Sequence, residues 1–200
     1  MDNFDKRVPI PDFKRELTER FGEDSISLRA LDQVTATMDK GHGYTRDNGE
    51  DYFVHPIAVA KILLDYTTAD DKVIAAALLH DCIEDVPECT YGSVEAEYGE
   101  TVAHYVMLVT KDDDVDYHVY ENMRSYMLNI CSCIPAIMIK IADRMNNNST
   151  VSHRSAEYKA RKTKETQEHF MILIETALPT DVQNREFYLI AKEFFEKDVE

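Results

Sequence analysis

The sequence predicts an all-α fold in a single compact domain, and three observations support this prediction. Apolar residues recur at helical spacing along most of the chain, as at Leu28, Leu31, Val34 and Met38 in segment 25–40. No run alternates polar and apolar residues over the length of a strand. Six glycines and six prolines among 200 residues are few, which disfavours a loop-rich all-β architecture.

The predicted helices follow one another along the chain with short connections. After segment 25–40, the loop GHGYTRDNGEDYF ends near His55-Pro56, where proline suits the first turn of a second helix. Segment 70–84 begins with acidic caps and becomes almost wholly apolar, which predicts one buried central helix ending before Pro87. The remaining predicted helices are 90–98, 101–109, the later part of 112–133, a helix that starts at Pro135 and frays at Asn146-Asn147-Asn148, then 155–177 and 181–196.

The domain prediction is a single unit over residues 1–200, with a core at about 25–177 and a C-terminal helix over 178–200. No apolar run is long enough to span a membrane, and the N-terminal MDNFDKRVPIPDF lacks the plan of a signal peptide. We therefore expect a cytoplasmic protein with no membrane partner. The sequence is compatible with a homodimer, but no heptad pattern requires one. Free buried thiols are expected at the four cysteines Cys82, Cys89, Cys131 and Cys133.

The charge balance limits the partners of this chain. Its 38 acidic and 22 basic residues give a formal net charge of −16, which opposes binding of nucleic acid through a broad basic face. A small phosphorylated ligand remains compatible with this charge, because local basic residues and a divalent cation outweigh a distant, screened acidic surface.

Several polar residues stand where the pattern calls for apolar ones. His80, Asp81, Glu84 and Asp85 directly follow the apolar AAALL in segment 70–84. If the helix is continuous, His80 and Glu84 lie one turn apart on one side, and Asp81 and Asp85 do the same. Burying an unpaired charge costs several kcal/mol or more, so these side chains need partners.

Asp143 repeats this anomaly within the apolar IMIKIADRM. Taken singly, Asp143 could pair with Lys140 or Arg144, and His80 could be a hydrogen-bonded core histidine. Taken together, the available partners run short, because no lysine or arginine occurs between Asp81 and Glu100. A divalent cation resolves the excess of negative charge.

His55, at the junction of loop and helix, is the natural second imidazole. With His80, Asp81 and Asp143 it forms a mixed nitrogen and oxygen ligand set that suits manganese, iron, zinc or cobalt. Four protein ligands leave open positions for water and substrate on an octahedral ion, as catalysis requires.

These motifs together resemble the HD superfamily, and more closely the hydrolase domain of RelA/SpoT homologues and the small alarmone hydrolases. The resemblance covers about residues 25 to 177. Its matching stretches are GYTRDNGEDYFVHP (43–56), AALLHDCIED (76–85), YGETV (98–102) with VTK (109–111), and KIADRMNN (140–147). The adjacent His-Asp alone is a weak signal, and its combination with the other stretches is specific.

The resemblance implies a function and a role for each matching residue. His55, His80, Asp81 and Asp143 would hold one Mn²⁺, and Glu84 and Asp85 would position and deprotonate the attacking water. The substrate would be a small nucleotide, guanosine tetra- or pentaphosphate, and the products would be pyrophosphate with GDP or GTP. The expected substrate-binding residues are Arg46, Tyr52, Lys140, Arg144, Asn147, Thr150 and Lys162.

The chain also departs from the family pattern. Asp51 replaces a proline, Asp47 stands where a second basic residue is common, and Asn146 stands where the family favours histidine. These departures leave an adenosine alarmone, a dNTP, a nucleoside monophosphate or a cyclic nucleotide as alternative substrates. A different class of function, a non-catalytic nucleotide-binding protein on an inherited HD scaffold, is a further alternative.

Overall fold

The computed structural model describes residues 4–197, and all regular structure in that range is helical apart from one isolated bridge between Thr45 and Asp51. The α-helices, in chain order, are α1 (Ile10–Phe21), α2 (Ile26–Thr37), α3 (Val54–Tyr66), α4 (Asp71–Leu79), α5 (Cys82–Asp85), α6 (Tyr91–Tyr98), α7 (Glu100–Val109), α8 (Tyr120–Ile130), α9 (Ile134–Ser149), α10 (Ala156–Glu165), α11 (Met171–Ala177) and α12 (Arg185–Phe195). Short 3-10 turns cover Lys40–His42 and Val182–Asn184, and a π-helical turn at Thr166–Phe170 joins α10 to α11. The predicted all-α fold is confirmed for the described part of the chain.

Helix α4 lies at the centre of the domain and packs against α2, α3 and α7. Every residue from Val73 to His80 is buried, in agreement with the unbroken apolar run of the sequence. Helix α9 packs against α3 and α7, so α3, α4 and α9 together surround the point where the polar residues meet. Helix α9 begins at Ile134 with Pro135 in its first turn, one residue before the predicted start, and the residue pair His55-Pro56 lies in the first turn of α3, as predicted.

The prediction of one continuous helix through segment 70–84 was wrong. Helix α4 ends at Leu79 and α5 begins at Cys82, with His80 and Asp81 between them. The His80 Nδ1 atom lies 2.8 Å from the Ala77 carbonyl oxygen, which is the acceptor that the Asp81 amide would use in a continuous helix. The imidazole therefore competes with the backbone, and the chain turns where the His-Asp pair stands.

The predicted fraying at Asn146-Asn147-Asn148 was also wrong. Helix α9 continues to Ser149, and each of the three asparagine side chains is hydrogen-bonded. Asn146 and Asn148 are buried. Asparagine is a weak helix former, but here tertiary hydrogen bonds outweigh its intrinsic propensity.

The apolar core extends past both limits of the predicted 25–177 region. Phe13 and Leu17 of α1 and Phe187 and Phe195 of α12 belong to the same cluster as the central helices. Sequence analysis did not predict α1, and the predicted C-terminal helix over 178–200 is shorter in the structure, with residues 198–200 outside the described range.

The structure agrees only in part with the prediction of four free, buried thiols. All four cysteines are free, but only Cys82 and Cys89 are buried, whereas Cys131 and Cys133 are partly exposed. Within residues 4–197, no helix combines the length and the apolar character needed to cross a lipid bilayer.

Candidate metal centre and substrate cleft

Two buried imidazoles and two carboxylates converge between α3, the end of α4 and α9. His55 and His80 are 3% and 1% exposed, and their ring centroids lie 5.1 Å apart. Asp81 oxygens lie 3.6 Å from His55 Nε2 and 3.1 Å from His80 Nε2. Asp143 Oδ1 lies 3.2 Å from His55 Nε2 and 3.8 Å from His80 Nε2. The structure therefore brings together the four residues that sequence analysis proposed as ligands.

The His80 side chain shows that this cluster fits a metal ion. Its Nδ1 atom faces the Ala77 carbonyl, which can only accept, so Nδ1 carries the proton in the neutral ring. The buried Nε2 atom then presents a lone pair and has no hydrogen-bond partner in the described part of the chain. Its 3.1 Å approach to Asp81 is a close contact without hydrogen-bond geometry.

The separations between the candidate ligand atoms also suit a metal ion. Ligand atoms of His55, His80 and Asp81 lie within 4.8 Å of one another. Two ligands bonded to one ion at about 2.1 Å lie about 3.0–3.5 Å apart. This buried group of two histidines and one aspartate is consistent with a metal site, with Asp143 at its edge.

Lys140 forms the ion pair with Asp143 that the sequence offered as an alternative to a metal site. Its Nζ atom lies 3.0 Å from Asp143 Oδ2, so Asp143 pairs with Lys140 while its other oxygen faces the imidazoles. Burial alone would raise the pKa of the Asp143 carboxyl, but the Lys140 ammonium opposes burial and holds it well below its usual range. Without a metal ion, the contact between Asp81 and His80 lowers the pKa of the carboxyl and raises that of the imidazole to about 9, although burial opposes both shifts. Both carboxylates thus stay ionised, and a metal ion would have to displace the proton from His80 Nε2.

Tyr52 lies beside this centre. Its hydroxyl donates to Asp81 Oδ2 at 2.7 Å, and its ring lies edge-on to His55 with centroids 6.0 Å apart. Burial and the neighbouring Asp81 raise the pKa of the Tyr52 phenol, which therefore stays a donor at physiological pH. The hydroxyl orients a candidate ligand, a role that was not predicted for Tyr52, which was expected only to bind substrate.

Glu84 and Asp85 lie at the edge of the centre and are more exposed. Glu84 lines the cleft, and its Oε2 atom accepts a hydrogen bond from the Lys111 backbone amide at 3.0 Å. Burial, together with Asp81 and Glu84, raises the pKa of Asp85 to about 6. A carboxylate with such a pKa suits proton transfer near neutral pH.

Arg46, Asn147 and Thr150 meet at one wall of the cleft. One Arg46 nitrogen donates to Asn147 Oδ1 at 3.3 Å and to Thr150 Oγ1 at 3.2 Å. Asn147 Nδ2 in turn donates to Asp143 Oδ1 at 2.5 Å. The loop that contains Arg46 is thus tied to the C-terminal end of α9 and, through Asn147, to the candidate metal centre.

The cleft above the centre has a volume of about 330 Å³ and is lined by seven acidic and six basic side chains, so it is much less acidic than the chain as a whole. A larger, more open groove of about 930 Å³ around Cys89 and Tyr98 shares no described lining residue with it and lies away from the histidines. Basic side chains line the cleft from several elements: Arg7, Arg46, Lys111, Lys140, Arg144 and Lys162.

Most of these cations are already neutralised by acids. Glu165 pairs with Arg144 at 2.5 Å and with Lys162 at 2.9 Å, so two expected phosphate-binding residues share one carboxylate. Lys140 pairs with Asp143, and Arg7 pairs with two acids, Asp5 and Glu50.

Arg46 and Lys111 differ from the other cleft cations. Among residues 4–197, neither has a carboxylate within ion-pair distance. Lys111 belongs to the VTK stretch of the family resemblance, but no role was predicted for it, for Glu165 or for the N-terminal Arg7. The position of Lys111, two residues after the buried end of α7 at Val109, was the available signal, whereas no local pattern marked the other two.

Comparison with known proteins places this chain in a family. The model of the HD domain matches residues 30–175, and the chain belongs to the HD-domain family. It is 37% identical over 151 residues to the bifunctional (p)ppGpp synthase/hydrolase SpoT of Escherichia coli K12, covering 73% of this chain and 21% of that protein. It is 38% identical over 147 residues to the guanosine-3′,5′-bis(diphosphate) 3′-pyrophosphohydrolase of Vibrio cholerae, covering 70% and 21%. The chain thus spans about a fifth of the length of these curated relatives.

Solved structures support the same fold. A metazoan orthologue of SpoT, described as hydrolysing ppGpp, superposes with a TM-score of 0.60 at 21% identity, covering 96% of this chain and 97% of that one. A protein of Listeria monocytogenes EGD-e gives a TM-score of 0.58 at 21% identity, covering 74% and 95%. The chain is therefore an HD-domain protein related to the SpoT-type (p)ppGpp hydrolases.

Proposed function

We propose that this protein is a metal-dependent phosphohydrolase that removes the 3′-pyrophosphate of guanosine tetra- or pentaphosphate. The observation that carries the proposal is the buried His80 Nε2, which has no hydrogen-bond partner among residues 4–197. It faces Asp81 and Asp143, which line a cleft with two cations that have no carboxylate within ion-pair distance. The names of the curated relatives support the substrate.

The metal centre would consist of His55, His80, Asp81 and Asp143. A divalent transition-metal ion at this position, Mn²⁺ by the family resemblance, supplies Lewis acidity that makes water a nucleophile at neutral pH. The Tyr52 hydroxyl holds Asp81 in place, and Lys140 holds the second oxygen of Asp143.

Glu84 and Asp85 would accept the proton of the attacking water. The water oxygen bonds to the phosphorus attached to the 3′-oxygen, and the bond between that phosphorus and the 3′-oxygen breaks. The 3′-oxygen takes up the proton that the carboxylate received from water and leaves as the hydroxyl of GDP or GTP, and pyrophosphate is released. The backbone amide of Lys111 positions the Glu84 carboxylate for this step.

Arg46 and Lys111 would be the first residues to bind phosphate, because neither has a carboxylate within ion-pair distance among residues 4–197. Arg46 is held by Asn147 and Thr150, both on the same wall of the cleft. Arg144 and Lys162 would contribute less to phosphate binding, since both already form ion pairs with Glu165.

The first experiment is product analysis with Mn²⁺ by ion-exchange chromatography. Guanosine tetraphosphate is compared with its adenosine analogue, dNTPs, nucleoside monophosphates and cyclic nucleotides. We expect pyrophosphate and GDP from guanosine tetraphosphate, no turnover with Asp81→Asn, and unchanged turnover with the exposed-loop control Asp113→Asn. Turnover of another nucleotide alone would overturn the substrate assignment, whereas metal binding without turnover would favour a nucleotide-binding protein.

The adenosine analogue is the second candidate because of Asp47. This acid lines the cleft where the family commonly has a basic residue, and it forms an ion pair with Arg154. Because this ion pair is neutral, the position next to Arg46 lacks the second positive charge that the family commonly has, and the environment of the nucleotide differs.

A further inference from the structure

A buried hydrogen-bond chain connects the N-terminal segment to the candidate metal centre. The Asn146 Nδ2 atom donates to the Phe4 carbonyl oxygen at 2.8 Å, and the Asn146 Oδ1 atom lies 2.7 Å from His55 Nδ1. Asn146 is 1% exposed, and His55 presents its other nitrogen, Nε2, to Asp143 and Asp81. The chain therefore runs from backbone to amide to imidazole and ends at the candidate ligand atom.

The chemistry of the Phe4 carbonyl determines the direction of every bond in this chain. A carbonyl oxygen can only accept, so the amide nitrogen of Asn146 must face it and the amide oxygen must face His55. An amide oxygen also can only accept, so His55 Nδ1 must carry a proton. In the neutral ring the lone pair is then on Nε2, which is the state that a metal ligand requires.

The Phe4 carbonyl is itself held in place by packing. The Phe4 side chain is 2% exposed, and its ring lies 5.7 Å from Tyr66 and 4.9 Å from Phe194, measured between centroids. The N-terminal segment is thus a packed part of the domain, and its backbone oxygen has a defined position next to α9.

We propose that Asn146 is the positioning residue of His55, and that the N-terminal segment at Phe4 keeps the amide of Asn146 in the orientation that directs His55 Nε2 to the metal. This inference deepens the proposed function and rests on the metal centre described there. The second imidazole, His80, obtains the same tautomer directly from the Ala77 carbonyl. In their neutral forms the two candidate histidine ligands therefore have the same tautomer, which a backbone carbonyl fixes for His80 and a side chain, Asn146, fixes for His55.

A purely structural role for Asn146 is the competing interpretation, and Asn184 provides the matched control. Asn184 is also a buried asparagine that joins two segments, since it accepts from the Thr68 amide at 2.7 Å and donates to Asp181 at 2.8 Å. None of these partners is a candidate metal ligand. Asn184→Ala should therefore reproduce the stability loss of Asn146→Ala without its effect on the metal.

The test measures Mn²⁺ affinity by isothermal titration calorimetry. Loss of a hydrogen-bond partner behind a metal ligand typically weakens metal binding 10- to 100-fold, and we expect a loss of about this size for Asn146→Ala. Asn146→Asp keeps an acceptor for His55 and should retain more affinity than Asn146→Ala. Asn184→Ala should stay within about threefold of the wild type, and an equally small change for Asn146→Ala would overturn the proposal.

A second measurement does not depend on metal binding. The ¹⁵N chemical shifts of the His55 ring in metal-free wild-type protein, assigned with His55→Gln, report which nitrogen carries the proton. We expect the Nδ1–H tautomer in the wild type and a mixture in Asn146→Ala, whereas an Nε2–H tautomer in the wild type would overturn the inference. If the wild type bound no Mn²⁺, the proposed metal centre would fail, and the tautomer would still decide the role of Asn146.

Discussion

Glu165 neutralises two cations of the cleft, and its replacement by glutamine should reveal a pH-dependent part of the folding free energy. Its carboxylate lies 2.5 Å from Arg144 and 2.9 Å from Lys162, and its side chain is 21% exposed. Burial alone would raise the pKa of Glu165, but the two cations lower it to about 2. The ionised form is therefore strongly favoured in the folded protein.

The magnitude follows from this difference in pKa. A fall from 4.5 in the unfolded chain to about 2 in the native state corresponds to roughly 3 kcal/mol of stability at neutral pH. Because the folded-state pKa of Glu165 is depressed, this contribution is complete above pH 4.5 and is lost as the pH falls towards 2. Glu165→Gln should accordingly be about 3 kcal/mol less stable than the wild type at pH 7, and the difference should shrink to less than half at pH 3.

The assay is urea unfolding followed by circular dichroism at pH 7, 5 and 3. Glu168→Gln is the control, because Glu168 is 47% exposed and its pair with Lys164 is worth at most about 1 kcal/mol. A difference below about 0.5 kcal/mol for Glu165→Gln at pH 7, or one that persists undiminished at pH 3, would refute the assignment.

Three further predictions concern the site. Tyr52→Phe removes the hydroxyl that bonds Asp81 at 2.7 Å and should weaken Mn²⁺ binding about tenfold by calorimetry; unchanged affinity would exclude this orienting role. Lys111→Met should lower kcat/KM for guanosine tetraphosphate roughly 10- to 100-fold in steady-state assays, while the affinity for Mn²⁺ is retained. An unchanged kcat/KM would show that Lys111 does not bind the substrate. In a pH–rate profile, activity should decrease below about pH 6, because Asp85 accepts a proton only when ionised and its pKa is raised to about 6. A profile in which activity decreases only near pH 4 would contradict this role of Asp85.

Local patterns in the sequence were sufficient to predict the helical fold and the unusual polar positions. The period of 3.6 residues is a property of each helix alone, so α2, α3, α7 and α9 were recognisable without their neighbours. The cost of burying an unpaired charge likewise marked His80, Asp81 and Asp143, because their apolar surroundings in the sequence are also their surroundings in the fold. Helix periodicity wrongly predicted one continuous helix through His80, because the His80 side chain competes with the backbone for the Ala77 carbonyl.

Only the tertiary structure decided which polar groups meet. Asn146 bonds to Phe4, 142 positions away in the chain, and to His55, 91 positions away, whereas its place in a run of three asparagines suggested a fraying helix end. Glu165 and Lys111 likewise acquire their roles from contacts between separate elements. Hydrogen bonds and ion pairs depend on distances of about 3 Å between atoms, and such distances across a folded core follow from the packing of all the helices together, which no local pattern encodes.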